Sequence, residues 1–186
     1  MPTFWFVRHG ESLAQLDQWD GPDPDVPLSP LGEQQADALA EAVAALPVER
    51  VLVSPFLRAR QTAERAARLL EHEHEVVEDL RERFAGSWIT MRGSKLVDAK
   101  LAVWDFQPPH GESILQAATR AIRALHEIET EHNTAVFAHG RILAGVLALL
   151  DERDLTEPIE ALDNCVLYPR EIAPGRWARL LESLGG

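Results

Sequence analysis

Thr3-Phe4-Trp5-Phe6-Val7-Arg8-His9-Gly10-Glu11-Ser12 joins an apolar run to a cation, an imidazole and a glycine. The first five residues are β-prone and read as a buried strand. Arg8, His9 and Gly10 then fall where that strand ends. In open α/β sheets, ligands collect outside the carboxyl ends of strands. The stretch therefore predicts an anion-handling site at the end of the first strand, with a titratable nucleophile in it.

Working outward, a loop rich in Asp, Gly and Pro runs from Asp17 to Pro27. Ser29-Pro30 reads as N-cap and first position of a helix. Leu31, Gln35, Ala38, Leu39, Ala42, Val43 and Leu46 follow at helical spacing, and Pro47 stops it. Val51-Leu52-Val53 predicts a second strand. Ser54-Pro55 opens another helix, with Ala59, Thr62, Ala63, Ala66, Leu69 and Leu70 on one face. Glu75-Val76-Val77 is a third, weaker strand. The stretch from Arg81 to His110 is irregular, with a helix from about Ser94 to Trp104. Ser113 to about His132 is amphipathic and opens on a Ser113/Gln116 capping box. Ala135 to Ala138 is a fourth strand, and Arg141 to Leu150 a buried helix. Val166-Leu167-Tyr168 and Trp177 to Leu181 are expected to form a terminal strand pair. This alternation predicts an α/β fold, a three-layer α/β/α sandwich with a mainly parallel sheet. Its length suits a single domain over residues 1–186, with a short lid-like segment at about 83–110.

The chain has 186 residues, 46% of them hydrophobic, which is a globular composition. Its formal net charge of −12 argues against nucleic acid or an anionic membrane as partner. An anionic substrate would need concentrated local positive charge. The single cysteine, Cys165, has no internal disulfide partner and suits a reducing cytoplasm. It reads as a small buried residue rather than a nucleophile. The longest apolar run, Ile142 to Leu150, is too short for a bilayer, and no signal peptide is expected before Arg8.

His139-Gly140 follows the fourth strand as His9-Gly10 follows the first. Parallel strands end on one edge, so the two histidines are expected to meet across a crevice. Arg58 lies in the first turn of its helix, where free N–H groups and the positive dipole end face the same edge. Arg8, Arg58, His9 and His139 would form a cationic cup for a phosphoryl group, whose oxygens the planar fork of Arg matches. Glu82 follows the third strand and brings a carboxyl group to this edge. Phosphoryl transfer to a histidine needs a proton donor for the departing oxygen, which a carboxylic acid can supply.

With these residues in place, the chain resembles the histidine phosphatase superfamily, also called the phosphoglycerate mutase-like family. The resemblance spans nearly the whole chain. It rests on Arg8-His9-Gly10-Glu11-Ser12, Leu28-Ser29-Pro30-Leu31-Gly32 with Gln35-Ala36, Ser54-Pro55 with Arg58-Ala59 and Gln61-Thr62-Ala63, Glu82 with Gly86, Gly111-Glu112-Ser113, and His139-Gly140. Arg-His-Gly alone is weak; six blocks in order are strong. The resemblance implies His9 as the phosphorylated nucleophile. It implies Arg8, Arg58 and His139 as holders of the phosphoryl oxygens, with Gly140 beside them, and Glu82 as the acid and base. It implies no metal and no cofactor. Gln15 aligns where the family often has a phosphate-touching Asn, and its longer reach either preserves or loses that contact. Ile89-Thr90 replaces the Glu-Gly or Gln-Gly of many members, which bears on substrate class.

The leading expectation is a metal-independent phosphatase acting on a small phosphorylated metabolite. The alternative is a phosphoglycerate mutase, whose family members generally carry a longer basic insertion than the stretch 83–110. Phosphohistidine-protein phosphatases tend to lack the Glu82 block. A non-catalytic phosphate binder would not need Glu82. The only lysines, Lys95 and Lys100, lie with Arg92 in that stretch. They read either as surface charge or as a lid recognising a second anionic group. His72, His74, His126 and His132 read as solvated. The five tryptophans suit core, lid or interface, so the oligomeric state is not legible.

Overall fold

The computed structural model describes residues 1–91, 95–128 and 131–185, with the side chains of 89–91 also outside it. The readings at Arg92 and Ser94, and at the side chains of Ile89-Thr90, therefore lie outside what is described. Five strands form one sheet: β1 (Thr3–Arg8), β2 (Arg50–Val53), β3 (His74–Val76), β4 (Thr134–Ala138) and β5 (Leu167–Glu171). Their order is β3-β2-β4-β1-β5. All neighbours pair in parallel except β5, which runs antiparallel to β1.

Strand alternation sends side chains to two cores. Phe4, Phe6, Leu52, Val136 and Ala138 face one core, which is completed by α4 (Ile114–Glu127), α5 (Gly140–Leu150) and α6 (Arg176–Ser183). Trp5, Val7, Val51, Val53, Ala135 and Phe137 face the other, against α1 (Pro30–Ala44) and α2 (Leu57–Leu70). These are the three layers that the alternation of elements predicts. The short helix α3 (Lys95–Leu101) has its own small cluster of Ala85, Val97 and Leu101, with Trp88 and Phe106 against it. Among the described residues no helix is long and apolar enough to cross a membrane.

Several boundaries differ from the sequence reading. Residues Trp177 to Leu181 are helical, not a strand. Trp177 and Leu180, three apart, are the buried pair of α6, and the Trp177 ring meets Phe4 edge-on at 5.7 Å between centroids. That spacing is a helical face rather than a strand alternation. α2 begins at Leu57 with Phe56 at its N-cap. Ser54 is spent on another contact, described below. Leu31 and Leu69 are exposed. The faces that pack are Gly32, Ala36, Leu39, Ala40 and Val43 on α1, and Ala59, Thr62, Ala63, Ala66 and Ala67 on α2. Small residues at this helix pair let the backbones approach, so apolar bulk alone misjudges which side faces in.

Candidate active site

The sheet order places the chemistry. β4 lies between β1 and β2, so the residue after β4 sits between the residues after the other two. The ladder continues one step past each strand: His9 N–H donates to Ala138 O at 3.1 Å, and Ser54 N–H donates to Phe137 O at 2.9 Å. His139 accordingly stands between His9 and Ser54. Its ring lies edge-on to His9 at 5.1 Å, and its Nε2 is 2.7 Å from Ser54 Oγ.

His9 is 4% exposed. Its Nδ1 lies 2.7 Å from Gly10 O. A carbonyl only accepts, so Nδ1 carries the proton. Arg58 Nε–H donates to Nε2 at 3.1 Å, which requires a lone pair there. Both contacts select one tautomer, a neutral imidazole with its nucleophilic nitrogen at Nε2. Burial, then the Arg58 guanidinium, hold the His9 pKa well below the usual histidine value, against a raising effect of Gly10 O.

His139 is wholly buried, and its Nδ1 has no hydrogen-bond partner. Burial, then Arg58 and His9, lower its pKa strongly too. The unfolded chain titrates near pH 6.5. Below that the unfolded state binds more protons than the native one, so this contribution to stability is full above pH 6.5 and fades as pH falls. Unfolding free energy should drop by up to about 1.4 kcal/mol per pH unit for each imidazole between pH 6.5 and 5. Denaturant midpoints at pH 7.5 and 5.5 measure it; a flat midpoint contradicts the buried neutral pair.

Ser54 Oγ also accepts from Phe56 N–H at 3.3 Å, which leaves its proton for His139 Nε2. Neutral His139 then carries its own proton on Nδ1. Ser54→Ala should mix the tautomers, visible in the 15N shifts of the imidazole, and cost about 1–3 kcal/mol by orphaning Nε2. Ser54→Thr should restore the single tautomer. Unchanged shifts in Ser54→Ala would remove this role.

Arg58 enters from the first turn of α2 and is buried. Its Nη1 donates to Asp23 O at 2.7 Å and lies 3.4 Å from the Asp23 carboxylate, and its guanidinium stands 5.0 Å over the Phe56 ring. Arg8 Nη1 donates to Leu162 O at 2.5 Å, and its Nε is buried without a partner. Burial lowers the Arg8 pKa, with Glu82 and Asp163 opposing. Two glycines make room. A Cβ on Gly140 would meet Arg8 Cδ and Nε at 3.0 Å, and one on Gly10 would meet Gly32 O at 2.5 Å.

Glu82 follows a 3₁₀ turn, Glu78–Leu80, after β3. Its Oε1 accepts from Arg83 N–H at 2.8 Å and from Ile142 N–H at 3.3 Å, in the first turn of α5. The positive end of that helix suits a carboxylate. Arg120 on α4 ties the approach down: it donates to Asp79 O at 2.6 Å and Arg81 O at 3.3 Å, and pairs with Glu112 at 2.9 Å.

Arg8, His9, Arg58 and Glu82 line one cleft of about 330 Å³ together with Ser12, Ala14, Gln15, Asp17 and Asp23. His139 stands behind His9 without lining it. Gly140 lines an adjoining cavity of about 210 Å³ that shares Arg8 and Glu82. Gln15 faces the cleft, but its amide donates to Asn164 Oδ1 at 3.1 Å and accepts from Ser12 N–H at 3.2 Å. Lys95 and Lys100 line neither cavity; Lys100 Nζ stands 5.8 Å over the Trp88 ring. Cys165 is half-buried and its thiol is pushed up to about 12 by burial. Among the described residues no group of three His, Cys, Asp or Glu side chains is placed to hold a metal ion.

Sequence reasoning missed Asn164, whose Nδ2 donates to His9 O at 2.6 Å. It also missed Asp23, the Ser54 contact, and Thr62, whose Oγ1 accepts from Gly10 N–H at 3.1 Å. Thr62 was legible as a buried position and as part of the Gln61-Thr62-Ala63 block, but not for this contact; Asn164 carries no local signal.

A family model described as histidine phosphatase superfamily (branch 1) matches residues 4–182. The adenosylcobalamin/alpha-ribazole phosphatase of Escherichia coli (strain K12) is 30% identical over 169 residues, covering 85% of this chain and 81% of that protein. The 2,3-bisphosphoglycerate-dependent phosphoglycerate mutase 2 of Gloeobacter violaceus is 29% identical, covering 89% and 84%. The solved structure of Bacillus stearothermophilus YhfR superposes with a TM-score of 0.81 at 24% identity, covering 94% of this chain and 93% of that one.

Proposed function

The chain belongs to the histidine phosphatase superfamily, branch 1, a family of phosphatases and mutases, and from that premise we propose that it is a metal-independent phosphatase of a small phosphorylated metabolite, acting through phosphorylated His9. The observation that carries this reading is His9 itself. It is a buried neutral imidazole whose proton is held on Nδ1 by Gly10 O, so Nε2 presents its lone pair in a cleft lined by the Arg8 and Arg58 guanidinium groups and the Glu82 carboxyl group, among others.

In the first step Nε2 attacks phosphorus and the ester P–O bond breaks. Glu82, in its acid form, passes its proton to the departing oxygen. The phosphoryl oxygens are held by Arg8 and Arg58, which exchanges its contact with Nε2 for one with phosphate. His139 supports them from behind with its Nδ1–H. In the second step Glu82, now a carboxylate, takes a proton from water. That water attacks phosphorus, the P–N bond breaks, and Nε2 regains its lone pair. Gln15 and Gly140 complete the surroundings of the bound group.

The mutase reading has a relative of that name behind it. The short segment 83–110 favours access of water over retention of an intermediate for return to a second hydroxyl. The test is phosphate release from 4-nitrophenyl phosphate with chelator present, followed by an acid and an alkali quench. Release that survives the chelator, with an adduct stable to alkali and lost in acid, supports a phosphohistidine. An alkali-labile, acid-stable adduct would move the nucleophile to a carboxylate. Conversion of 3-phosphoglycerate to its 2-isomer in place of phosphate release would favour the mutase.

A further inference from the structure

We infer that the cleft selects phosphomonoesters of uncharged, hydroxyl-bearing alcohols and rejects esters carrying a second anionic group beside the phosphate, and that Asp17 and Asp23 set this preference. The inference rests on the phosphatase reading and narrows its substrate class.

The charges in the cleft carry it. Among the described residues, its ionisable lining is two guanidinium groups, Arg8 and Arg58, and three carboxyl groups, Asp17, Asp23 and Glu82, besides His9. A phosphoryl dianion draws on both guanidinium groups, and Arg58 is already shared with Asp23 through its main-chain oxygen and its carboxylate. Among the described residues, no third cation lines this cleft for a carboxylate or a second phosphate. In the adjoining cavity Arg83 donates to Glu112 O and Leu101 O, Arg141 donates to Ile159 O, and Asp98 stands with them. Lys95 and Lys100 line neither space. A chain of net charge −12 adds a field of the same sign.

The outer lining instead offers hydrogen-bond acceptors. Asp17 is exposed and held at φ 55, and its main-chain N–H bonds back to Ala14 O at 3.4 Å, which turns the residue out at the rim. Ser12 and Gln15 stand beside it. Carboxylates accept strongly from alcohol hydroxyls and repel another carboxylate at the same range. Left-handed backbone suits Asn as well as Asp, so Asp17→Asn removes the charge without forcing the chain to move. Asp23→Asn keeps the main-chain oxygen that Arg58 uses.

Glycerol 3-phosphate and 3-phosphoglycerate test this directly. Both carry the phosphoester on C3 and a hydroxyl on C2; they differ by a hydroxymethyl group against a carboxylate on C1. We expect kcat/KM for glycerol 3-phosphate to exceed that for 3-phosphoglycerate by about tenfold or more at low salt, a preference that narrows as salt screens it. Asp17→Asn should shrink the ratio about three- to tenfold, and adding Asp23→Asn should shrink it further. If either ester turns over too slowly to read, its competition against 4-nitrophenyl phosphate reports the same preference. Equal kcat/KM in wild type, or a ratio unmoved by both substitutions, overturns the inference while aryl phosphate turnover leaves the phosphatase reading standing. No phosphate release from any of the three compounds, or isomerisation of 3-phosphoglycerate, overturns that reading and the inference with it.

Discussion

Substituting His9 with Ala should abolish phosphate release, with a loss of at least about 10⁴-fold in kcat and no trappable phosphoenzyme. The size follows from the role: removal of a covalent nucleophile that acts in concert with its neighbours costs several powers of ten, because nothing else in the site completes the step. Here the remaining groups, Arg8, Arg58 and His139, would still bind phosphate, so affinity for inorganic phosphate should survive the substitution. Single-turnover measurements with 32P-labelled ester, quenched in alkali, read both quantities. The alternative arrangement is also visible. If His9→Ala releases phosphate at a rate near wild type, the nucleophile is water or a carboxylate and His9 is only an anion contact.

Glu82→Gln should divide substrates by leaving group. The amide keeps the oxygen that accepts from Ile142 and Arg83 N–H, so the start of α5 and the turn after β3 should hold their places. What is lost is the proton. Alkyl phosphates need it for their departing oxygen and should slow by about 10²- to 10⁴-fold, whereas 4-nitrophenyl phosphate, with its stable leaving anion, should lose far less in the first step. A plot of log kcat against leaving-group pKa should steepen in the variant. Parallel lines for wild type and variant would make Glu82 a positioning residue. Dephosphorylation of the intermediate gives a separate reading, since the carboxylate that activates water is also gone; accumulation of phosphorylated His9 in the variant is the expected sign.

These expectations depend on contacts of very different legibility. Arg8, His9 and Gly10 follow a run of β-prone residues, and His139 and Gly140 follow another, so strand-end placement could be read from local pattern. Parallel pairing then brought both to one edge. Arg58 was legible through its position in the first turn of a helix, although that helix begins two residues later than Ser54-Pro55 suggests. The boundary moved because the Ser54 hydroxyl is taken up by His139 and the Phe56 N–H. Trp177 to Leu181 misled for a different reason. A short apolar run fits either period, and only its seat against Phe4 decides for a helix.

The family, and the residues on which the proposed chemistry rests, were thus contained in the sequence: a strand-end imidazole, two guanidinium groups and a carboxyl group in an order that matches one family. Such motifs are local, and local residues carry them wherever the chain folds. Tertiary structure alone decided how they are poised. It placed β4 between β1 and β2, which sets His139 against both His9 and Ser54. It brought Asn164 to the His9 carbonyl and Asp23 to Arg58, across separations that leave no periodic trace. It buried both imidazoles beside a guanidinium, which keeps them neutral. It also set Asp17 and Asp23 in the lining of the cleft that holds Arg8 and Arg58. Protonation and charge balance are properties of surroundings, and surroundings exist only once distant segments have packed together.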